Sequence, residues 1–135
     1  MYYFAYGSNI SRRQMRERCP RARPRFTATL PDYKLMFAGW SDKWQGGVAT
    51  IRPCKGAKVI GAIYDIDEKC LRALDKCEGY PTVYGRMNVL LIAENGHSTE
   101  ALTYIMNEPA VESQPSEAYL AVIQQGYQDW RLPVK

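Results

Sequence analysis

The stretch "TVYGRMNVLLIAENGHSTEALTYIM", residues 82–106, decides the fold class. Two runs rich in β-branched, aromatic and leucine residues, 82–94 and 99–106, flank Asn95-Gly96, a dipeptide that accepts positive φ and favours a tight hairpin turn. The strands of a hairpin run in opposite directions, so the sheet that holds them is antiparallel at this point. Working outward, "GGVATIRP" (46–53) and "KVIGAIYDI" (58–66) are again β-rich and bounded by Gly and Pro. "RFTATL" (25–30) and "YKLMFAG" (33–39) are two further strand-like segments, split by Pro31-Asp32, and residues 1–6 make another. Three helices are expected. A short one over about residues 11–18 is capped by Ser11 or Asn9 and stopped by Pro20. "EKCLRALDKCE" follows Asp67 as its N-cap, with Cys70, Leu71 and Leu74 as the inward stripe. Pro115-Ser116 opens the last helix, whose Tyr119, Leu120, Ile123 and Tyr127 predict a face laid over one edge of the sheet. Strands that follow one another directly, with few crossover helices, give an α+β fold with a mostly antiparallel, curled sheet.

At 135 residues the chain has room for one core and not two, so a single domain over 1–135 is expected. No apolar run approaches the ~20 residues of a membrane helix, and the first apolar stretch lacks the basic flank and cleavage site of a leader. A cytoplasmic protein with no membrane partner is the expectation. Cys19, Cys54, Cys70 and Cys77 show no C-x-x-C spacing, which argues against a structural metal. They read as intracellular thiols rather than a disulfide framework, with Cys70 and Cys77 as small apolar residues on one buried helix face. The net charge of +4 is local: seven arginines between Arg12 and Arg25, opposed only by Glu17, leave the rest of the chain near neutral. Such a patch could attract nucleic acid or small anions, but a solvated arginine face explains it more simply, and no nucleic-acid partner is expected.

Glu78, in "LDKCEGYP", stands four residues after Leu74 and seven after Leu71, so a continuous helix would put it on their buried face. A carboxylate there also opposes the helix macrodipole, and Gly79 marks the helix end beside it. Both effects disfavour the charged form and raise the pKa, the property of a general base that works near neutrality. The alternative is a frayed helix end with Glu78 in water. Asp67 is explained by capping, and Asp75 falls on the polar side. The only histidine, His97, sits at the hairpin tip, so Ser/His or Cys/His nucleophilic chemistry has little support.

At the other end of the chain, "YYFAYGSNISRR" (2–13) runs from a strand into Gly7, Ser8 and Asn9 and then a helix. Successive backbone N–H groups near a helix start make a small anion seat, and Gly7 permits close approach of a ligand. The Walker A spacing is absent, so the seat suits a carboxylate as well as a phosphate.

"YFAYGSN" (3–9), "WQGGVATI" (44–51), "LDKCEGYP" (74–81) and "PSEAY" (115–119) occur in an order that resembles the gamma-glutamylcyclotransferase family, including the AIG2-like proteins. The resemblance implies a small mixed, mostly antiparallel β-barrel with flanking helices. It also implies closure of a γ-glutamyl group to 5-oxoproline with release of an amine or amino acid. On the same resemblance Glu78 is the acid/base residue, and Tyr3, Phe4, Ala5, Tyr6, Gly7, Ser8 and Asn9 line the substrate site. Tyr119 resembles the family's substrate-contacting tyrosine, and Tyr84 is placed in the same cavity. Each tyrosine also has a reading as core with its hydroxyl at the rim. No metal or cofactor is implied, and the expected partner is a small γ-glutamyl compound. The loops 42–45 and 108–114 match no specificity class, so the leaving group stays open, as does the oligomeric state. A module that binds a small anion or γ-glutamyl compound in the same pocket without turnover is the alternative.

Overall fold

A computed structural model describes residues 1–108 and 110–133. The 82–106 segment forms the hairpin its sequence predicts: β4 (Tyr84–Ala93) pairs with β5 (Ser98–Met106), from Tyr84 opposite Met106 to Ile92 opposite Ser98. The Ala93 N–H donates to the His97 carbonyl and Gly96 takes φ 87°, so the turn closes over three residues with glycine in the left-handed position. Along β4, Val89, Leu91 and Ala93 are buried while Leu90 and Ile92 are exposed, the period-two pattern of a strand with one inner face.

The seven strand-like segments merge into five strands. Residues 25–30 and 33–39 belong to one strand, β2 (Arg23–Ser41), and 46–53 and 58–66 to another, β3 (Gly46–Asp65). Pro31-Asp32 and Lys55-Gly56 look like breaks but are matched irregularities of a single long ladder. Asp32 takes φ 62° and Gly56 φ 85°, and the Gly56 N–H donates to Asp32 Oδ1 at 3.0 Å. The register shifts there and the pairing resumes on the far side. With β1 (Tyr2–Ala5), the strands close into a barrel in the order β1-β3-β2-β4-β5. Among the described residues only the β1–β5 pairing is parallel.

Helix α1 (Arg12–Arg18) is capped by Ser11, whose hydroxyl accepts from the Gln14 N–H. Helix α2 (Glu68–Glu78) is capped by Asp67 and ends on Gly79 in the left-handed region, with the Tyr80 N–H returning to the Asp75 carbonyl. Cys70 and Leu74 are its buried residues, packed with Met15, Cys19, Tyr3 and Tyr64. A second cluster, including Phe4, Leu30, Ile51, Ile63 and Leu91, comes mostly from the strands.

Helix α3 (Glu117–Asp129) does not lie over a sheet edge, because a closed barrel offers none. It buries Tyr119 and Ile123 and brings Gly126 against the backbone of Ile10 and Ser11, where a Cβ would meet the Ser11 nitrogen at 2.6 Å. The last helix therefore clamps the turn that follows β1.

The cysteines also depart from the sequence reading. Cys19 and Cys70 form a disulfide, with Cα atoms 5.4 Å apart across 51 residues of sequence, because the end of α1 packs on α2. Cys54 and Cys77 are free. Cys77 is exposed rather than buried with Cys70, since the last turn of α2 runs beyond the core and opens on a cavity. Among the described residues no helix is long and apolar enough to cross a membrane.

Candidate active site

That cavity holds about 330 Å³ and lies where the turn after β1, the end of α2, the start of α3 and the β2–β3 connection meet. Its size suits a small metabolite. Tyr3, Tyr6, Gly7, Ser8, Asn9, Glu78, Tyr84 and Tyr119 all line it. Phe4 and Ala5 do not: both are almost fully buried in the hydrophobic core, and they serve the site by fixing the strand that carries Tyr3 and Tyr6.

The Gly-Ser-Asn segment is not the first turn of α1 but a separate 3-10 turn, Ser8–Ile10, followed by the Ser11 cap. The Ile10 N–H bonds back to the Gly7 carbonyl and the Ser11 N–H to that of Ser8. The leading N–H groups of such a turn have no acceptor within it, so the anion seat belongs to this turn and not to the α1 terminus. At Gly7 the packing leaves little room for a side chain. A Cβ there would sit 3.0 Å from the Ala49 Cβ and 3.3 Å from the Tyr119 hydroxyl.

Ser8 and Asn9 use their side chains within the protein. Gln14 Nε2 donates to Ser8 Oγ at 2.6 Å and to Asn9 Oδ1 at 3.0 Å, and Arg18 Nη1 donates to the same Asn9 oxygen at 3.1 Å. Two donors on Oδ1 fix the amide, so that Asn9 Nδ2 points at the Tyr3 hydroxyl, 3.0 Å away. Arg18 and Gln14 were hidden in a segment whose sequence reads as a solvated arginine face. Arg18 sits inside the cavity, one helical turn beyond Gln14 on the same side of α1. Other arginines of the segment are engaged elsewhere: Arg12 stacks on Trp130, 4.3 Å from the ring centre, and Arg21 pairs with Asp67 at 2.6 Å.

The tyrosines divide by what their hydroxyls do. Tyr6 donates to the Tyr104 carbonyl at 2.6 Å, Tyr84 to the Ala49 carbonyl at 2.6 Å and Tyr104 to Asp75 at 2.7 Å. Tyr3 accepts from Asn9 and Tyr119 accepts from the Ala49 N–H at 2.9 Å, so both keep a proton to donate. Burial pushes all of these phenols up, Tyr119 to about 12, so each stays protonated at neutral pH. Ala49, in the "GGVATI" stretch, has both its N–H and its carbonyl held by cavity tyrosines.

Helix α2 persists to Glu78, which removes the frayed-end alternative. Its carboxyl is turned into the cavity, where loss of solvent pushes its pKa up to about 7, with the Arg18 cation pulling weakly the other way. Arg18 is bonded to Asn9, and among the described residues Glu78 enters no ion pair. Asp75, expected on the polar side, instead accepts from Tyr104 and pairs with Arg86 at 3.4 Å, anchoring a cavity wall. His97 is exposed at the hairpin tip, so it takes no part. Among the described residues no cluster of His, Cys, Asp or Glu could hold a metal ion.

Comparison with known proteins places these features in a family. A model of the gamma-glutamyl cyclotransferase, AIG2-like family matches residues 3–132. A gamma-glutamylcyclotransferase of Bos taurus is 34% identical over 139 residues, which cover 98% of this chain and 73% of that protein. The Homo sapiens protein of that name is 31% identical over 138 residues, with the same two coverages, 98% and 73%. A solved gamma-glutamyl cyclotransferase structure superposes with TM-score 0.94 at 30% identity, covering 98% of this chain and 81% of that one. YkqA of Bacillus subtilis superposes with TM-score 0.82 at 26% identity over 98% of this chain and 49% of its own. With the barrel shared and the sequence match running nearly end to end, this chain belongs to the gamma-glutamyl cyclotransferase, AIG2-like family.

Proposed function

We propose that the protein is an enzyme that cyclises the γ-glutamyl group of a small γ-glutamyl amino acid or amine to 5-oxoproline, with Glu78 as general acid/base. The observation that carries this reading is a desolvated carboxyl that shares a cavity of about 330 Å³ with the Gly7–Asn9 turn. In the reaction the substrate's own α-amine attacks its γ-carbonyl, so the protein supplies a folded-back conformation and proton transfer rather than a nucleophile. Well-oriented intramolecular attack is worth roughly 7–11 kcal/mol against a bimolecular reference, much of it inherent in the substrate.

The α-amine attacks only when neutral. Glu78 as carboxylate removes its proton, the C–N bond of the ring forms, and the γ-oxygen becomes an oxyanion. Glu78 then returns that proton to the leaving nitrogen as the old amide bond breaks, and takes the second proton of the ring nitrogen, which it releases to solvent. The substrate's α-amine is largely protonated at neutral pH, so a base near neutrality is better matched to it than an ordinary glutamate. Such proton transfer contributes about 10²- to 10⁴-fold. For the oxyanion, the Tyr3 and Tyr119 hydroxyls have protons to give, and the leading N–H groups of the 3-10 turn suit the substrate carboxylate. Each well-placed oxyanion donor contributes roughly 3 kcal/mol to transition-state stability. Tyr6, Tyr84, Ser8 and Asn9 line the substrate and hold the donors, and Gly7 provides the close approach. Phe4 and Ala5 support them from the core.

Incubation with a panel of γ-glutamyl dipeptides and γ-glutamylamines, with direct detection of 5-oxoproline, tests the reading. Release of 5-oxoproline with one equivalent of amine is expected. Tight binding of these compounds without product would instead identify a binding module.

A further inference from the structure

The glutamyl moiety, seated between Glu78 and the Gly7–Asn9 turn, must project its leaving group toward the mouth of the cavity. The mouth is formed by Trp40 at the end of β2, by Lys43 and Trp44 of the β2–β3 connection, and by Lys76 in the last turn of α2, with Trp40 and both lysines exposed. With Arg18 deeper inside, three cations line the cavity against one carboxylate, Glu78. Asp42, which accepts from the neutral Trp40 indole at 3.2 Å, keeps its charge but does not line the cavity, and Asp75 is held by Arg86 and Tyr104 on another side of α2. Among the described residues neither Lys43 nor Lys76 enters an ion pair.

The connection that carries Lys43 is also tied to the reacting region. The Trp44 N–H donates to Ser41 Oγ at 3.2 Å, and its ring meets the edge of Tyr119 with centroids 5.1 Å apart. Lys43 Nζ lies 5.2 Å from the centre of the Trp44 ring, so its charge stands over the aromatic wall along which a leaving group would pass.

We propose that this mouth selects leaving groups bearing an additional negative charge, such as an acidic amino acid, with Lys43 and Lys76 as the specificity-determining residues. The inference rests on the cyclotransferase reading and deepens it. Neutral or cationic amines gain nothing from the two lysines, and a cationic leaving group is repelled by them. Both lysines are solvated, so the preference is modest and falls as salt is raised.

The test compares kcat/KM for γ-glutamyl-glutamate and γ-glutamyl-glutamine, whose leaving groups have nearly the same shape and differ by one charge. A preference of about three- to tenfold for the glutamate compound at low ionic strength is expected from two water-screened cations. The ratio should shrink in high salt and approach one in the double variant K43Q/K76Q. The charge-reversed K43E/K76E should prefer γ-glutamyl-lysine to γ-glutamyl-glutamine. Because each readout is a ratio within one protein, a general loss of activity does not imitate it. A ratio near one in the unaltered protein, or one that survives K43Q/K76Q, overturns the inference and leaves the cyclotransferase reading intact. So does 5-oxoproline release from γ-glutamylamines but from neither dipeptide. Failure of every γ-glutamyl compound to yield 5-oxoproline overturns both.

Discussion

Helix α2 carries an acidic residue at each end, and the two live in opposite environments. Asp67, at the N-terminus, accepts from the Cys70 N–H at 2.8 Å and from Arg21 at 2.6 Å, and these hydrogen bonds hold its carboxyl below the usual range. Glu78, at the C-terminus, faces the negative end of the macrodipole, has lost solvent and is pushed up to about 7. The same chemical group is placed once where the helix rewards it and once where the helix penalises it. Placement at Asp67 needs no explanation beyond folding. Placement at Glu78 opposes stability, and the acid/base role proposed for it would account for that cost.

The contrast can be broken most severely through activity. Glu78→Gln keeps the shape and removes the base, so kcat should fall by about 10²- to 10⁴-fold. Asp67→Asn, at the other end of the helix, should leave kcat/KM within about twofold, since its side chain takes no part in the cavity. Steady-state assays of 5-oxoproline formation measure both, and comparable losses in the two variants would dissolve the distinction.

Stability supplies the second test, with the sign fixed by linkage. Glu78 binds its proton more tightly in the folded protein, near 7, than the ordinary value of 4.5. Its protonation therefore contributes stability that is fully present below the unfolded value and lost as pH rises from about 4.5 through about 7. The unaltered protein should lose on the order of 3 kcal/mol over that window through this one group, and Glu78→Gln should not. Urea unfolding at pH 4 and pH 8 compares them, and the variant should be the more stable at pH 8. Equal pH dependence in both proteins would mean that Glu78 is solvated.

A smaller effect sharpens the picture on the cavity side. Tyr119→Phe removes the hydroxyl that accepts from Ala49, and with it a free donor to the substrate. A roughly tenfold loss in kcat/KM is expected, the equivalent of about 1.4 kcal/mol, with the fold retained. Unchanged kinetics with every γ-glutamyl compound would remove Tyr119 from the site. The smallest effect belongs to Asp67→Ala, which should lower the thermal midpoint slightly by deleting a cap, with no change in the pH profile of catalysis.

The sequence exposed some of this more readily than the rest. The β4–β5 hairpin was legible because period-two burial and Asn95-Gly96 are local signals. Glu78 was legible because a helix fixes the direction of a residue four positions beyond Leu74. The long strands β2 and β3 were not, since a Pro-Asp pair and a glycine look like chain breaks until Asp32 and Gly56 are found bonded to each other across the ladder. The Cys19–Cys70 link joins residues 51 apart in sequence, and no spacing rule announces it. Arg18 and Gln14 were invisible for a different reason. One was masked by six neighbouring arginines and the other by having no charge, and only the fold of the 3-10 turn brings them onto Asn9. The resemblance of "YFAYGSN" likewise gave the strand but not which face of it is used, and so included Phe4 and Ala5 with residues that touch the cavity.

The most direct test of the account is a carbon-13 NMR titration of the glutamate side-chain carboxyls, with Glu78 assigned by its absence from Glu78→Gln. A midpoint near 7, coincident with the acid limb of kcat/KM for 5-oxoproline formation, is the expected result. A midpoint at the ordinary 4.5, or an acid limb that persists in a folded Glu78→Gln enzyme, would contradict it.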